Sequence, residues 1–505
     1  MASTGSQNPG MMSGNYLSDY EISAFPRAPL YQELHKTPPP AVREAATRRK
    51  AFPYSERHLH CAWFDPGLRP VALRTHTGET VTVEHPGTWN QEAGPDFLGG
   101  VLRIGPHERR LAGDVEIHIH PSDWKAHGHD ADPRYRDVRF HVTYFPGSAH
   151  DIDRLPGTVH IALKDALAAC PGFSFEHIDP SAYPYAARAD MPPCSTEFQT
   201  YDVDARIDVL QAAGEARLRR KAERMTDLIR DKGMEQALYE ELMAALGYKH
   251  NKSAFRHLAA ALPLEELRRI AEGDAHTAYA LLMGAAGLLP EQRSKRWSDE
   301  TARCIRSLWD VWWRYRHAYG DHATRCAWRL DGIRPANHPA RRLMAAAQLV
   351  TGRHTPVETI RRRADDESAH WTDQIIAYFH ELYDPYMSHH LGFNSTRRAA
   401  PVALIGRMRA ASMLTNVIIP FLAATGVPAA RITAALDRLP VEPDNGIIKQ
   451  TAFYLFGRDH APSLYRSELA RQGLIQIFQD FCLNDRSRCA HCRFPHALRA
   501  HRKGA

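Results

Sequence analysis

The residues best suited to chemistry lie in two short motifs, GPDF at 94–97 and GDVEIHI at 113–119. If the strand after Asp96 pairs with the strand that ends at His118, the hairpin returns Glu116 close to Asp96. Glu116 and His118 then share one face of the sheet. Converging carboxylates repel each other unless a cation lies between them, and hard divalent ions prefer oxygen ligands. We therefore expect Asp96 and Glu116 to bind Mg²⁺ or Mn²⁺, with His118 as a general base or a further ligand.

The same three residues also have a purely structural interpretation. Asp96 would then cap a turn, and Glu116 and His118 would form the polar face of an exposed strand. A dense group of polar and aromatic side chains in the same stretch favours a site, and we take these as candidate substrate-binding residues: Glu92, Trp124, His127, His129, Asp132 and Tyr135. The histidines between 118 and 129, together with Asp132, could instead bind Zn²⁺ through imidazoles, or could be merely solvated.

The surrounding patterns indicate which elements position these residues. A short helix is predicted at 55–64, and alternating apolar residues predict strands at 71–73, 80–84, 97–104, 110–119, 138–145 and 158–163. Ser122 is placed to cap a helix between the last strands. Helical periodicity dominates beyond residue 204, as at 205–232, 234–246 and 253–272. The patterns predict a flexible tail at 1–45, an α/β domain at 46–195, an α-helical domain at 196–480 and a cysteine-containing segment at 481–505.

Long strings in the chain resemble a known family. HPGTWNQEAGPDF, GDVEIHIHPSDWKAHGHDADPRY and VRFHVTYF are similar to strings of an uncharacterised bacterial family catalogued as domain of unknown function 2851. The resemblance continues in RPANHP at 334–339, in NGIIK at 445–449 and in the terminal cysteines, so it spans nearly the whole chain beyond residue 50. It brings no established activity with it.

A more remote resemblance is to the restriction-endonuclease-like nucleases with the PD-(D/E)xK signature. In these nucleases a helix and three strands that hold the signature precede a helix and a further strand. Pro95-Asp96 and Glu116-Ile117-His118 occupy the signature positions, and 122–144 supplies the following helix and strand. The resemblance implies a restriction-endonuclease-like α/β fold and metal-dependent phosphodiester hydrolysis. His118 replaces the signature lysine, which leaves a binding-only relative open.

The cysteines form a second candidate site. The chain has 8 cysteines at uneven spacing, which favours reduced thiols or metal ligands over a disulfide framework. In Cys482-x6-Cys489-x2-Cys492, the Cys-x2-Cys pair lets two thiolates reach one metal, but three cysteines need a fourth ligand. The family resemblance suggests Cys194. One early cysteine with a terminal trio resembles the iron–sulfur staples of certain DNA-repair nucleases, although Zn²⁺ or ordinary free thiols stay open. Rival fourth ligands are His491 and His496.

The bulk composition sets broad limits on function. The chain has 505 residues, a formal net charge of +6 and a pI near 8.8, which permits an anionic partner but falls short of a DNA-coating protein. The basic clusters at 217–224 and 361–363 could contact phosphates or form solvated helix faces. The tryptophans at 309, 312 and 313 favour a core stripe over a base-stacking platform.

Neither a signal peptide nor a membrane-spanning apolar run is visible, so we expect a cytoplasmic protein with no membrane partner.

These patterns together predict a metal-dependent nuclease that hydrolyses phosphodiester bonds in DNA or RNA. Asp96, Glu116 and His118 would be its catalytic residues. Two alternatives stay open, a non-catalytic nucleic-acid or protein-binding module on the same fold and a zinc hydrolase that uses the histidine-rich segment.

Overall fold

The chain builds two separate hydrophobic cores. The computed structural model describes residues 24–36, 52–90, 94–147, 157–170, 173–180, 183, 192–248, 251–320, 328–330, 333–366, 368, 370–442, 446–457, 460–482, 489 and 492–504. Within these residues, a smaller core between 52 and 183 surrounds a β-sheet, and a larger helical core joins residues 24–34 to residues 194–498. The change from one core to the other falls between Tyr183 and Cys194.

The smaller core is organised by a mixed seven-stranded sheet. Its strands are β1 (Leu73–Arg74), β2 (Thr80–His85), β3 (Thr88–Trp89), β4 (Phe97–Ile104), β5 (Arg109–His118), β6 (Val138–Thr143) and β7 (Val159–Ala162). They lie in the order β1-β2-β4-β5-β6-β7, with β3 also paired to β4. The pairs up to β5 are antiparallel, whereas β6 and β7 run parallel to β5. A bridge between Thr75 and Ile161 brings the two ends of the sheet together.

The alternating patterns in the sequence therefore correspond to strands, because each strand turns alternate residues toward the core. The helices before residue 190 are α1 (Ala28–Lys36), α2 (Glu56–Phe64), α3 (Asp123–Ala126) and α4 (Lys164–Ala168). Leu59, Ala62 and Trp63 of α2 are fully buried in the sheet's core. The cap expected at Ser122 is not formed, since its side chain makes no capping hydrogen bond, and Asp123 Oδ2 instead accepts from the His120 amide at 2.9 Å.

Seventeen α-helices in the described residues follow, and they make this part of the chain mainly helical. They are α5 (Pro193–Gln199), α6 (Val203–Lys232), α7 (Met234–Leu246), α8 (Lys252–Ala261), α9 (Leu264–Ala271), α10 (Ala275–Ala285), α11 (Asp299–Trp312), α12 (Arg316–Tyr319), α13 (Pro339–Thr351), α14 (Pro356–Asp365), α15 (Trp371–His380), α16 (Arg407–Met413), α17 (Ile419–Ala424), α18 (Ala429–Leu436), α19 (Gly446–Phe456), α20 (Glu468–Ile477) and α21 (Phe494–Gly504). Among the described residues, no helix is long and apolar enough to cross a membrane.

Two helical patterns differ from their sequence-based expectation. The predicted helix at 253–272 is divided into α8 and α9, because Pro263 has no amide hydrogen to continue the first helix and instead precedes the second. The tryptophan stripe is only partly internal: Trp312 is 3% exposed, but Trp313 is 65% exposed.

The N-terminal segment also differs from the expected flexible tail where the structure describes it. Phe25 and Tyr31 are fully buried, and α1 packs against α6. The Tyr31 hydroxyl donates to Asp480 Oδ2 at 3.0 Å, and Arg27 pairs with the buried Glu215 at 3.1 Å. The apolar face of α1 therefore closes the helical core, while the remainder of 1–45 lies outside the described residues.

Candidate functional site

The two predicted carboxylates meet at the end of the hairpin formed by β4 and β5. Phe97 lies opposite Val115 in this antiparallel pair, which places Asp96 beside Glu116. The Ile117 amide donates to Asp96 Oδ2 at 2.8 Å, and the Asp96 amide donates to Glu116 Oε2 at 3.1 Å. His60 on α2 places its Nε2 3.3 Å from Asp96 Oδ2. Each carboxylate is thus held in place by the backbone next to the other.

Three histidines join these carboxylates. The ligand nitrogens of His118, His127 and His129 all lie within 4.8 Å of one another. Glu116 Oε1 lies 3.1 Å from His129 Nε2 and 3.4 Å from His118 Nε2. Four side chains able to bind a metal therefore converge, and Asp96 stands directly behind Glu116.

The loop after β5 brings His127 and His129 back to the strand. Gly128 has a left-handed backbone with φ of 75°, which glycine adopts without strain and which turns the chain sharply between the two histidines. Trp124 Nε1 donates to Asp130 Oδ1 at 2.7 Å and ties the loop to α3. This turn allows His127 and His129, which are two residues apart in the sequence, to place their imidazoles close to His118.

Burial sets the protonation of the cluster. His118 is 1% exposed and Glu116 is 5% exposed, whereas His127 lies at the exposed side. Burial, aided by the neighbouring His141 and His127, lowers the pKa of His118 well below its ordinary value. Burial and then His127 lower the pKa of His129 to about 4. These imidazoles are therefore neutral near pH 7, which is the form that binds a metal ion.

A row of buried histidines extends behind the cluster. His118 Nδ1 lies 2.9 Å from His141 Nε2 on β6, and the His141 ring lies 5.5 Å from the ring of His160 on β7. Thr143 donates its only hydroxyl hydrogen to the Phe145 carbonyl at 2.7 Å, so it must accept from His160 Nε2, 2.9 Å away. If His118 Nε2 offers its lone pair to a metal, His118 Nδ1 carries the hydrogen and donates to His141.

The predicted substrate-binding residues fall into two groups. Trp124 and Tyr135 line the cluster, with the His129 ring 5.3 Å from Trp124 and 3.8 Å from Tyr135, and the Tyr135 hydroxyl donates to the Gly94 carbonyl at 3.2 Å. Asp132 pairs with Arg134, whose Nε lies 2.9 Å from each carboxylate oxygen. Glu92 lies outside the described residues.

Two residues of this region carried no recognised signal in the sequence. His60 reaches Asp96 from α2, and His160 reaches the histidine row from β7. The position of α2 just before the strands is the available hint for His60, since a helix that packs on a sheet turns one face toward it. His160 alternates with apolar residues on its strand, and nothing in that pattern distinguishes it from a core residue.

The predicted cysteine site lies in the other core. Cys194 and Cys492 both belong to the helical core, and Cys194 lies in the first turn of α5. Cys482 ends a π-helical turn at Phe478–Cys482, and the Cys492 amide donates to the Cys489 carbonyl at 3.3 Å. Of the rival fourth ligands, His496 lies on α21 and His491 is outside the described residues.

The comparison with known proteins agrees with the first of the two resemblances. One family matches residues 56–436, a range that contains the sheet, the histidine cluster and much of the helical domain. No curated protein and no solved structure matches the chain. Since the match covers most of the sequence, the chain belongs to the family described as Protein of unknown function (DUF2851).

Proposed function

We propose that this protein is a metal-dependent hydrolase whose metal ion is bound by His118, His127, His129 and Glu116. The observation that carries the proposal is the convergence of three imidazole nitrogens within 4.8 Å, with the Glu116 carboxylate 3.1 Å from one of them. Two of these groups are nearly inaccessible to water. A divalent cation could bind all four side chains at once, because imidazole nitrogens and carboxylate oxygens are common metal ligands.

The donor set favours a transition metal over Mg²⁺. Imidazole suits Zn²⁺ and similar ions, whereas Mg²⁺ binds mainly to oxygen and keeps several of its waters. Mn²⁺ accepts both nitrogen and oxygen donors and remains compatible with the carboxylate pair. We therefore propose Zn²⁺ or Mn²⁺. The site offers more nitrogen ligands than we expected from the two carboxylates alone.

We propose separate roles for Asp96 and His118 in the reaction. A bound ion of this kind lowers the pKa of a water molecule and neutralises charge on the substrate. Asp96 lies behind Glu116 and next to His60, so its carboxylate is the group we propose to accept the proton of the attacking water. His118 is held neutral between Glu116 and His141, which suits a ligand better than the cationic role of a signature lysine.

Phosphodiesters are the substrate class that we propose. The described elements follow the order helix, strands, helix and strand, with Asp96 directly before β4 and Glu116 on the adjacent β5, an order like that of the nucleases that the sequence resembles. The cluster is exposed at His127, and the exposed cations Lys125 and Arg136 lie on α3 and on the loop that follows it. Cations beside the exposed side of a metal site attract a polyanionic substrate such as a nucleic acid.

A non-catalytic binding module is the second candidate. The specific observation in its favour is that a buried, neutral imidazole stands where the resembling nucleases carry a lysine. A metal bound there could then act as a structural bridge between β5 and the loop that follows it.

The test combines metal binding with cleavage. The purified full chain is incubated with single-stranded and duplex DNA and RNA in the presence of Zn²⁺, Mn²⁺ or Mg²⁺. We expect cleavage that Asp96→Asn and Glu116→Gln abolish and that His127→Ala weakens together with metal affinity. The matched control is His107→Ala, an exposed histidine in the turn at the other end of the β4–β5 hairpin. Nucleic-acid binding without cleavage under any metal would favour the second candidate.

A further inference from the structure

Cys194, far from the C-terminus in the sequence, approaches the three terminal cysteines Cys482, Cys489 and Cys492 in the helical core. Cys194 lies in α5, which packs against α21, the helix that follows Cys492. The Phe198 and Phe494 rings are 6.3 Å apart, and the Phe481 ring, next to Cys482, lies 4.8 Å from that of Phe494. This packing brings the first helix of the domain against its last.

Polar contacts join α5 and the residues just after it to α21. The Tyr201 hydroxyl donates to the Leu498 carbonyl at 2.6 Å, and Arg499 pairs with Glu197 at 3.0 Å. The register of α5 on α21 is therefore determined by apolar and polar contacts together, and the position of Cys194 relative to the terminal cysteines is determined with it.

The thiols themselves are electrostatic neighbours. Cys194 interacts electrostatically with Cys489 and Cys492, and Cys482 interacts with Cys194, Cys489 and Cys492. The four would repel one another as thiolates in this setting, unless a cation were bound between them.

The other cysteines in the described residues show no such grouping. Cys61, Cys170 and Cys304 have no cysteine among the charged neighbours that shift their pKa. They behave as isolated packing residues and provide matched controls.

We propose that Cys194, Cys482, Cys489 and Cys492 bind a thiophilic metal centre that fastens the C-terminal segment to the start of the helical domain. The proposal is independent of the hydrolytic site, since its ligands belong to a different hydrophobic core. Its chemistry is that of soft thiolate ligands, which select zinc or iron–sulfur clusters.

The spacing of the sulfurs distinguishes the two kinds of centre. A tetrahedral zinc site with Zn–S bonds of about 2.3 Å holds all four sulfurs within about 4 Å of one another. Among the described residues the group with ligand atoms within 4.8 Å is the histidine cluster, and no three of these sulfurs form such a group. A cluster of several irons binds each thiolate at a different place, so the wider spacing favours iron–sulfur over zinc.

The experiment measures metal in the full-length protein purified without oxygen. Iron, acid-labile sulfide and zinc are quantified and the visible absorption spectrum is recorded for the wild-type chain and for Cys194→Ser, Cys489→Ser, Cys170→Ser and Cys304→Ser. We expect a brown protein whose iron and sulfide fall to background in the first two variants and stay at the wild-type level in the two controls. A colourless protein that loses zinc in the same pattern would support the thiolate centre and assign it to zinc.

Two further measurements keep the result decisive. Cys194 is buried, so its variant could unfold, but Cys489 is only half-buried and its variant tests the same centre. His118→Ala should keep the cysteine-bound metal while it loses the metal of the histidine cluster, so that failure of one proposal is visible separately from the other. Wild-type metal content in Cys489→Ser, or a Cys489–Cys492 disulfide in the oxygen-free protein, would overturn the thiolate centre.

Discussion

At the scale of single residues, burial determines the chemistry of the histidine cluster. An exposed imidazole titrates near neutral pH, but His118, His129, His141 and His160 all have their pKa lowered by burial in the sheet's core or at its edge. Neutral imidazoles can accept and donate along a row, and each one orients the next. If His118 binds a metal as proposed, this row holds its ring in place before the ion binds.

Replacing His141 should weaken metal binding without removing a ligand. His141→Phe keeps a ring in the buried space but leaves His118 Nδ1 without its partner at 2.9 Å. Loss of such an orienting hydrogen bond lowers metal affinity by roughly 10–100-fold. Competition with a chelator measures the change, with His107→Ala as the control. Wild-type affinity in His141→Phe would show that the histidine row does not orient the ligand.

His160 should make the sheet less stable in acid. Burial, aided by His76, lowers its pKa from 6.5 to about 4. Between these two pH values the unfolded chain binds a proton that the folded chain does not, so stability is present above pH 6.5 and is lost as the pH falls. The slope is at most about 1.4 kcal/mol per pH unit for this one group. Amide hydrogen exchange of β6 and β7 is measured at pH 7 and at pH 5. The protection that is lost between these two pH values should be smaller in His160→Gln than in the wild-type chain.

At the scale of elements, close helix contacts depend on two glycines. A Cβ on Gly214 of α6 would overlap the Leu469 carbonyl of α20, and a Cβ on Gly473 of α20 would overlap the Leu210 carbonyl of α6. The two backbones touch where these helices cross. Neither glycine interrupts its helix, so each is retained for space and not for its conformational freedom.

Adding one methyl group at this crossing should force the helices apart. Gly214→Ala and Gly473→Ala each place the new carbon against a rigid carbonyl, and overpacking of this kind costs about 1–3 kcal/mol or more. Thermal unfolding measures the effect, and Gly392→Ala, where a Cβ meets nothing within 4 Å, is the control. Equal unfolding temperatures for all three variants would contradict the close approach.

At the scale of the whole molecule, buried charges connect the two cores. Glu241 on α7 is 5% exposed and pairs with Arg224 at 2.7 Å and with Arg256 at 3.0 Å. The same arginines donate to the carbonyls of Glu176 and His177, which follow the sheet, at 3.4 and 3.1 Å. Burial raises the pKa of Glu241, but the two arginines outweigh it and keep that pKa below its usual range.

Removing this one negative charge should loosen the connection. Glu241→Gln leaves the buried Arg256 and the partly buried Arg224 without their counter-charge, and breaking a buried pair such as Glu241–Arg256 costs about 3–5 kcal/mol. Faster hydrogen exchange is expected at 175–178 as well as in α7 and α8. The neighbouring Glu240→Gln is the control, because its partner Lys232 is 40% exposed and such pairs contribute up to about 1 kcal/mol. Similar exchange in both variants would show that Glu241 does not hold the sheet to the helices.

The basic cluster at 217–224 has a different role in the structure from the two that its sequence suggested. Its residues suggested phosphate contacts or a solvated face. In the structure, Arg217 donates to Gln472 at 2.9 Å and Arg220 to Asp480 at 3.0 Å, so both are engaged with α20 and the turn that follows it. The sequence showed that this helix carries a basic cluster. Only the packing showed that Arg217 and Arg220 face the rest of the protein.

What the sequence by itself determined is local. Alternation of apolar residues identified β2, β4, β5 and β6, because a strand repeats every two residues and buries one face. The approach of Asp96 to Glu116 followed from the same patterns, since consecutive strands joined by a short turn pair with each other. The flexible tail at 1–45, in its described part 24–36, the single helix at 253–272 and the cap at Ser122 were local inferences that tertiary contacts or a proline altered.

The tertiary structure alone decided what approaches these elements from elsewhere. His60 comes from a helix before the sheet, and the chain turns at Gly128 so that both His127 and His129 lie near His118. Cys194 meets the terminal cysteines through the contact of α5 with α21. Such approaches depend on how whole elements pack over their buried faces, which no short window of sequence encodes. The motifs at 94–97 and 113–119 thus determined where a site could form. Packing then brought more imidazoles than carboxylates to that place.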